Sequence, residues 1–398
     1  MRINGLGCSL VDNLYSPIDF ESIEYRKWVR ENRDGTGLIT GGLVFGEDLE
    51  KSSGKKYKDI LNEITGEKLT PDKNIGGPAI VPLIHIAQMI DGNNIHLGFF
   101  GARAEDENGQ YIIDKLRPFD IDLRGYKVVK GQTPFTDVLS DPSYNENNGE
   151  RSFVNYIGAA GVLCGKDISS SFFDADILIY GGTGLTPGLH DDLSFLQKKG
   201  KNANCLNFVN TVYDFRNQNL NPNKPWPLVN KKTDFKMIDL LIADNEEALR
   251  ISGERTKEEA LVFFAEMGAR SVIITHGAEE LICYSDGLFF KELGIFTMPV
   301  SMSAGSQMRV LSKGSSADTT GCGDNFAGGV YASTAFQLES KVNNKPSLKQ
   351  AVAWGVVSGG FAGLHQGGVY YEKRQGEKLN KLKVLFDEYI IQTGDTFE

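Results

Sequence analysis

The stretch ADTTGCGDNFAGG, residues 317–329, sets four glycines and two aspartates immediately ahead of a run that turns helical. Downstream of it Phe326, Val330, Tyr331, Ala335 and Leu338 recur at spacings close to one helical face. Gly321 and Gly323 therefore fall just before, or within the first turn of, a helix. There the backbone N–H groups have no intrahelical acceptor and the helix dipole favours an anion. Glycine lets the backbone approach that anion without a Cβ in the way. Asp324 beside such a site is costly unless it works, and the work open to it is to take a proton from a hydroxyl that attacks a phosphoryl group held on those amides. Phosphoryl transfer asks mainly for positioning and charge stabilisation, and a base of this kind contributes roughly 10²–10⁴-fold. On spacing alone a plainer reading stands beside it, in which the glycines form a helix-start turn and Asp324 only caps it.

A site of this type needs a scaffold, and the rest of the chain reads as one. Apolar, strand-like runs recur at 95–101, 175–182, 206–210, 239–244 and 271–277, most of them ending in a Gly, Asp or Asn turn. Helix-like segments such as TKEEALVFFAEMG, 256–268, lie between several of them. The alternation predicts an α/β fold with a mostly parallel central sheet flanked by helices on both faces. Ligands in such sheets bind beyond the carboxyl ends of the strands, where these turns collect. Two excursions break the pattern, about 14–74 and 125–158. The first is polar, with a helix expected over FESIEYRKWVREN; the second reads as two strand pieces around a hairpin-like loop. Together they are expected to form a small β lid on a single domain spanning 1–398.

Composition narrows the class. With 40% hydrophobic and 24% charged residues the chain is of ordinary globular type. A formal net charge of −10 argues against a general nucleic-acid or membrane-surface binder. Five scattered cysteines, Cys8, Cys164, Cys205, Cys283 and Cys322, include no CxxC pair and fit free thiols in a reducing cytoplasm. The first residues lack the apolar core of a signal peptide, and no apolar run reaches the roughly 20 residues of a membrane span. A cytoplasmic protein without membrane or nucleic-acid partners is expected. The five histidines have no ligand spacing and read as structural or surface residues.

DTTGCGDNF, 318–326, resembles the C-terminal signature of the ribokinase-like, or PfkB, carbohydrate kinases, with Cys322 in place of the usual alanine. The resemblance continues along nearly the whole chain. GLGCSLVDNL resembles the first strand of the family, and IGGPA, 75–79, its N-terminal glycine pair. FFGARAEDENGQYIIDKL resembles the segment written G-x-V-G-D-D-x-x-G, and NGERSFVNYIGAA a returning lid strand. DNEEA, 244–248, and THG, 275–277, resemble the nucleotide-side motifs. The resemblance implies an ATP-dependent kinase acting on a hydroxymethyl group of a sugar or sugar-like molecule. Asp324 would be the base, and the amides around Gly321, Cys322 and Gly323 the anion hole. Asp12, Gly76 and Gly77 would hold the acceptor, and Asp244, Glu247, Thr275 and Gly277 would serve the nucleotide with Mg²⁺. Asp318 and Thr320 would hold a monovalent cation such as K⁺. Similar proteins often pair through lid strands, so a homodimer through the lid joins the expectations.

Departures from the family pattern are equally specific. Val81 stands where an asparagine helps hold acceptor hydroxyls, and a valine makes no such bond. In DNEE, Asp244 replaces the usual asparagine if Glu247 is the family glutamate; a register starting at Asn245 would put Ala248 in the glutamate place. The segment at 101–109 has Ala104 for a glycine and Glu105 beside Asp106, and Arg103 carries no assignment. The long segment between Asp12 and Gly76 resembles the enlarged lids of nucleoside kinases, which makes a nucleoside such as adenosine the alternative acceptor. A non-catalytic sugar or nucleotide sensor is the alternative of another class. A dinucleotide-binding oxidoreductase rests only on YGGTGLTPG, 180–188, which lacks G-x-G-x-x-G. No Walker A sequence is present.

Overall fold

The computed structural model describes residues 1–30, 37–66, 69–90, 94–147, 149–312, 319–340 and 345–396. Its strands, in chain order, are β1 (Arg2–Gly7), β2 (Leu10–Tyr15), β3 (Leu43–Phe45), β4 (Asp72–Gly76), β5 (His96–Arg103), β6 (Ile121–Val128) and β7 (Phe135–Asp141). They continue with β8 (Glu150–Tyr156), β9 (Ile177–Gly181), β10 (Leu206–Asn210), β11 (Leu240–Asp244), β12 (Ser271–His276), β13 (Glu279–Ser285) and β14 (Leu293–Met298). Nine of these form one sheet in the order β14-β13-β12-β11-β10-β9-β1-β5-β6. From β12 to β6 all neighbours run parallel, and only β13 and β14 are antiparallel.

The strand sequences explain why the sheet is buried on both faces. ILIYG in β9 and LLIAD in β11 are continuous apolar runs, as strands covered from both sides require. Ile177 and Ile179 point into a core shared with the helices Ile80–Met89, Cys322–Glu339, Leu348–Ala362 and Glu377–Thr393. Leu178 and Tyr180, on the opposite face, join Leu196, Val209 and Phe264 in a second core. This is the predicted parallel sheet with helices on both faces. The chain leaves β1 toward β5 and β6, then returns as β9 on the other side of β1. That reversal opens a crevice at the carboxyl ends of β1 and β9.

The remaining strands form a separate sheet in the order β3-β8-β7-β2-β4; β3, β7 and β8 lie within the two excursions, β2 and β4 straddle the limits of the first, and the start of the second, to Val128, belongs to β6 of the large sheet. The small sheet's outer face is covered by Ile18, Phe20, Tyr25, Leu49, Tyr57 and Ile60, drawn from residues 18–60 and packed on Leu139 and Val154. The helix expected over FESIEYRKWVREN contracts to Ile23–Arg26, capped by Ser22, whose Oγ accepts from the Tyr25 amide. Phe20 and Tyr25 stack at 4.1 Å against the lid instead of lining one helical face, and residues 31 and 32 of that stretch lie outside the described residues. Because the chain itself covers this face, pairing of two lids would have to use the strand edges at β3 or β4. Among the described residues no helix is long and apolar enough to cross a membrane.

Candidate active site

A cleft of about 290 Å³ opens between the carboxyl ends of the large sheet and the small one. Its lining gathers Asp12, Gly76, Gly77, Asp244, Glu247, Thr275, Thr320, Gly321, Gly323 and Asp324, residues that the sequence scatters over more than three hundred positions. Two predicted residues are not among those lining it. Gly277 sits in the β12–β13 turn with φ +55, and Cys322 donates its amide to Thr319 O at 3.2 Å. Asp318 lies outside the described residues.

Asp324 occupies the first turn of the helix Cys322–Glu339. It is not the cap: the N-cap is Gly321, in a left-handed conformation at φ +75, with no side-chain cap bond. The Asp324 carboxyl makes no hydrogen bond to any described residue, and burial pushes it up to about 7. A base poised near neutrality is suited to proton abstraction. Gly321 and Gly323 do different things. A Cβ on Gly321 would lie 2.6 Å from Gly368 Cα, whereas a Cβ on Gly323 would meet no described residue within 4 Å. The first glycine lets two loops touch; the second leaves space in front of the helix start.

Opposite, Asp12 lies on β2 of the small sheet, not at the end of the first strand, because the chain breaks at Cys8 and Ser9 and climbs into the lid. Its register partner on β4 is Asn74, and its carboxylate covers Gly76 so closely that a Cβ there would overlap it. Gly77, at φ +117, packs against the Cys8 carbonyl. Burial pushes the Cys8 thiol up to about 12, and the carboxylates of Asp12 and Asp324 both add to the shift. Both acids line the cleft.

On the far side, β11 ends at Asp244, which with Glu247 forms a reciprocal cap on the helix that follows. Asp244 Oδ1 accepts from the Glu247 amide at 2.8 Å, and Glu247 Oε2 accepts from the Asp244 amide at 3.4 Å. Glu247 also accepts from Thr211 Oγ1. Burial first, and then the neighbouring Asp244 carboxylate, hold the Glu247 carboxyl well above its usual range. Ala248 is fully buried in the second core. Val81, in turn, is buried in the first core and is not among the residues lining the cleft.

Sequence reasoning missed several groups. Asn210 lines the cleft, with Nδ2 donating to Pro78 O at 3.0 Å and Oδ1 accepting from Tyr331 at 3.1 Å. Arg151, on β8, donates to Thr319 and Thr320 beside the glycine loop. The cleft lining itself holds no lysine or arginine among the described residues. Among the described residues, the groups near it that favour an anion are the helix start at Cys322 and Arg151 beside the loop. No group of three or more His, Cys, Asp or Glu side chains that could hold a metal occurs among the described residues. The oxygen set of Asp244, Glu247 and Thr211 still suits a hard divalent ion that keeps water and phosphate oxygens as its other ligands.

The profile of the pfkB family carbohydrate kinases matches residues 43–370. In fold, the chain is similar to adenosine kinase from Schistosoma mansoni in complex with 2-fluoroadenosine: TM-score 0.68, 19% identity, 93% of this chain and 97% of that one covered. It is similar as well to a putative ribokinase II from E. coli in complex with ATP and Mg²⁺, at TM-score 0.64 and 16% identity, covering 97% and 99%. Ribokinase from Thermotoga maritima matches at TM-score 0.63 and 15% identity, covering 96% and 99%.

Proposed function

We propose, from the premise that the chain belongs to the pfkB family of carbohydrate kinases, that it transfers the γ-phosphoryl group of ATP to a hydroxymethyl oxygen of a sugar or sugar-like acceptor. The observation that carries this reading is Asp324. Its carboxyl has no hydrogen-bond partner among the described residues, is pushed up to about 7, and faces the cleft from a helix start opened by glycines.

In this reading the acceptor lies on Gly76 and Gly77 with its hydroxyls toward Asp12. Its oxygen attacks the γ-phosphorus, the bond from phosphorus to the ADP oxygen breaks, and the hydroxyl proton passes to Asp324. The amides of Gly321 and Gly323, with the helix dipole behind them, stabilise charge on the transferring group. Asp244, Glu247 and Thr275 serve the nucleotide side, and Thr320 would contribute to any monovalent-cation site. Mg²⁺, when bound, neutralises phosphate charge, with Asp244 and Glu247 as the protein groups that would hold it. The small sheet is the lid of a single kinase domain.

A nucleoside acceptor is the second reading. It is favoured by the fold likeness to a nucleoside-bound adenosine kinase and by the helical cover over the lid. The small pocket beyond Asp12, however, is lined by Leu14, Asp72, Lys73, Asn74, Val138 and Gln366 among others, with no aromatic side chain among the described residues to stack on a base. A polar acceptor fits it better. The test is coupled ADP release from Mg-ATP across pentoses, hexoses, sugar acids and nucleosides, with Asp324→Asn alongside. Turnover on one acceptor, lost in the variant, supports the kinase and names its class. ATP binding without turnover on any acceptor favours a sensor.

A further inference from the structure

The last long helix, Glu377–Thr393, places a lysine where neither the helix nor the core asks for one. Lys378 is in its first turn, where the dipole disfavours a cation, and is 1% exposed. No carboxylate among the described residues forms an ion pair with its Nζ. The Glu372 carboxylate accepts from the Lys378 backbone amide at 2.6 Å instead. The ammonium donates to two amide oxygens, Gln88 Oε1 at 2.9 Å and Asn325 Oδ1 at 3.0 Å. A buried cation held by neutral oxygens is expensive, and burial pushes it down to about 7.

The orientation of each partner is fixed by its other bonds. Gln88 Nε2 donates to Tyr370 O at 2.6 Å, so Oε1 must face the ammonium. Asn325 Nδ2 donates to Gly321 O at 2.9 Å and Gly368 O at 2.8 Å, so Oδ1 must accept. His85 Nδ1, 2.9 Å from that same oxygen, therefore carries the proton, and its buried Nε2 has no partner among the described residues. Burial and the Lys378 charge keep His85 neutral. The groups facing the ammonium are thus His85 and Gln88 from one helix, Asn325 from another and Glu372 ahead of its own. A charge on His365 would add to the lowering at His85.

This network ends on the machinery. Gly321 and Gly368 both line the cleft, and Asn325 follows Asp324 directly. We propose that Lys378 is a positioning residue for phosphoryl transfer. Through Asn325 it clamps the Gly321 and Gly368 loops, fixing the anion-holding amides and Asp324. Its ammonium is the internal counter-charge beneath a cleft lined by Asp12, Asp244, Glu247 and Asp324. The inference rests on the kinase reading and deepens it.

A neutral amine keeps enough N–H groups for both acceptors, so loss of the proton removes the charge and not the bonds. The unaltered protein should therefore show an alkaline limb in kcat above pH 7, displaced upward when phosphate is bound. Lys378→Met should lower kcat at pH 7 by about 10- to 100-fold, leave the acceptor KM within about threefold, and abolish that limb while keeping the acid limb of Asp324. Gln88→Glu, which sets a carboxylate on the ammonium, should move the limb to higher pH. An alkaline limb that survives unchanged in Lys378→Met, or its absence from the unaltered protein, overturns the proposal. Hydrogen exchange at the amides of residues 319–325 gives a reading without turnover. Faster exchange there in Lys378→Met at unchanged Tm supports the clamp, and unchanged exchange overturns it. Failure of the unaltered protein to release ADP on any acceptor would instead count against the kinase reading.

Discussion

Arg151 ties the lid to the glycine loop: Nη1 donates to Thr320 Oγ1 at 2.9 Å and Nη2 to Thr319 Oγ1 at 3.0 Å. The two bonds use the planar fork of a guanidinium, which a lysine cannot reproduce. They join strand β8 of the small sheet to the residues that precede the helix start, so lid position and loop position are coupled. We predict that Arg151→Met lowers kcat/KM by about 10- to 100-fold and speeds hydrogen exchange in β7 and β8. Arg151→Lys should recover little of the rate. Steady-state kinetics with exchange on both variants checks this, and a lysine variant that matches the parent would show that charge alone suffices.

Asp324→Asn isolates the proposed base. The parent's carboxyl, pushed up to about 7 by burial, must lose its proton before it can accept another. Below pH 7 log kcat/KM should then fall with a slope near one. The asparagine variant should retain ATP binding, lose about 10²–10⁴ in turnover, and show no such limb. A pH–rate profile of parent and variant, with ATP affinity by calorimetry, decides it. Near-normal turnover would remove Asp324 from the chemistry.

What the sequence made legible follows from how local each signal is. The strand runs at 206–210, 239–244 and 271–277 match β10, β11 and β12 within about a residue, because continuous apolar runs ending in turns have few other solutions. The glycines of the TGCGD stretch and Asp324 come together for the same reason: one helix start carries them all. Asp12 was harder. Its short segment reads as part of the first strand, and only three-dimensional pairing with Asn74 and Thr136 shows that it belongs to the lid. Val81 follows a motif position in sequence yet turns into the core, since its helix buries nearly every side chain. Arg151, Asn325 and Lys378 were not legible as a site at all. Arg151 meets its threonines across 168 and 169 residues, and Lys378 meets Gln88 across 290. A lysine among the three of QGEKLNKLK gives no sign that it will be buried.

The same carboxyl makes a prediction about stability. Asp324 carries a folded-state value of about 7 against an ordinary 3.8, so between those values the native state binds a proton that the unfolded chain has released. Stability contributed by this group is present below about pH 4 and is lost as pH rises through 7. Above pH 7 the native fold must hold a poorly hydrated carboxylate. Asp324→Asn should therefore be more stable than the parent at pH 8, by about 1–3 kcal/mol once water reaching the open cleft is allowed for. The two should converge near pH 4. Denaturant unfolding at both pH values tests it, and equal stability at pH 8 would mean that the carboxylate is well solvated.

Gly321 and Gly323 stand two residues apart and should fail in opposite ways. Gly321→Ala forces a left-handed residue at φ +75 and drives its methyl to 2.6 Å from Gly368 Cα. The conformational cost alone is about 1 kcal/mol, and the clash, which neither backbone can relieve alone, adds to it. This variant should lose at least about 2 kcal/mol, with activity falling along with the fold. Gly323→Ala meets no described residue within 4 Å and sits in a helical turn where alanine is favoured over glycine by up to about 1 kcal/mol. Its Tm should hold or rise. Yet the methyl enters the space where the phosphate is proposed to lie, so the KM for ATP should rise or kcat fall by at least about tenfold. Thermal unfolding beside steady-state kinetics separates the two. A stable Gly323→Ala with parental kinetics would show that the phosphate is held elsewhere, because no loss of fold could then be masking the result.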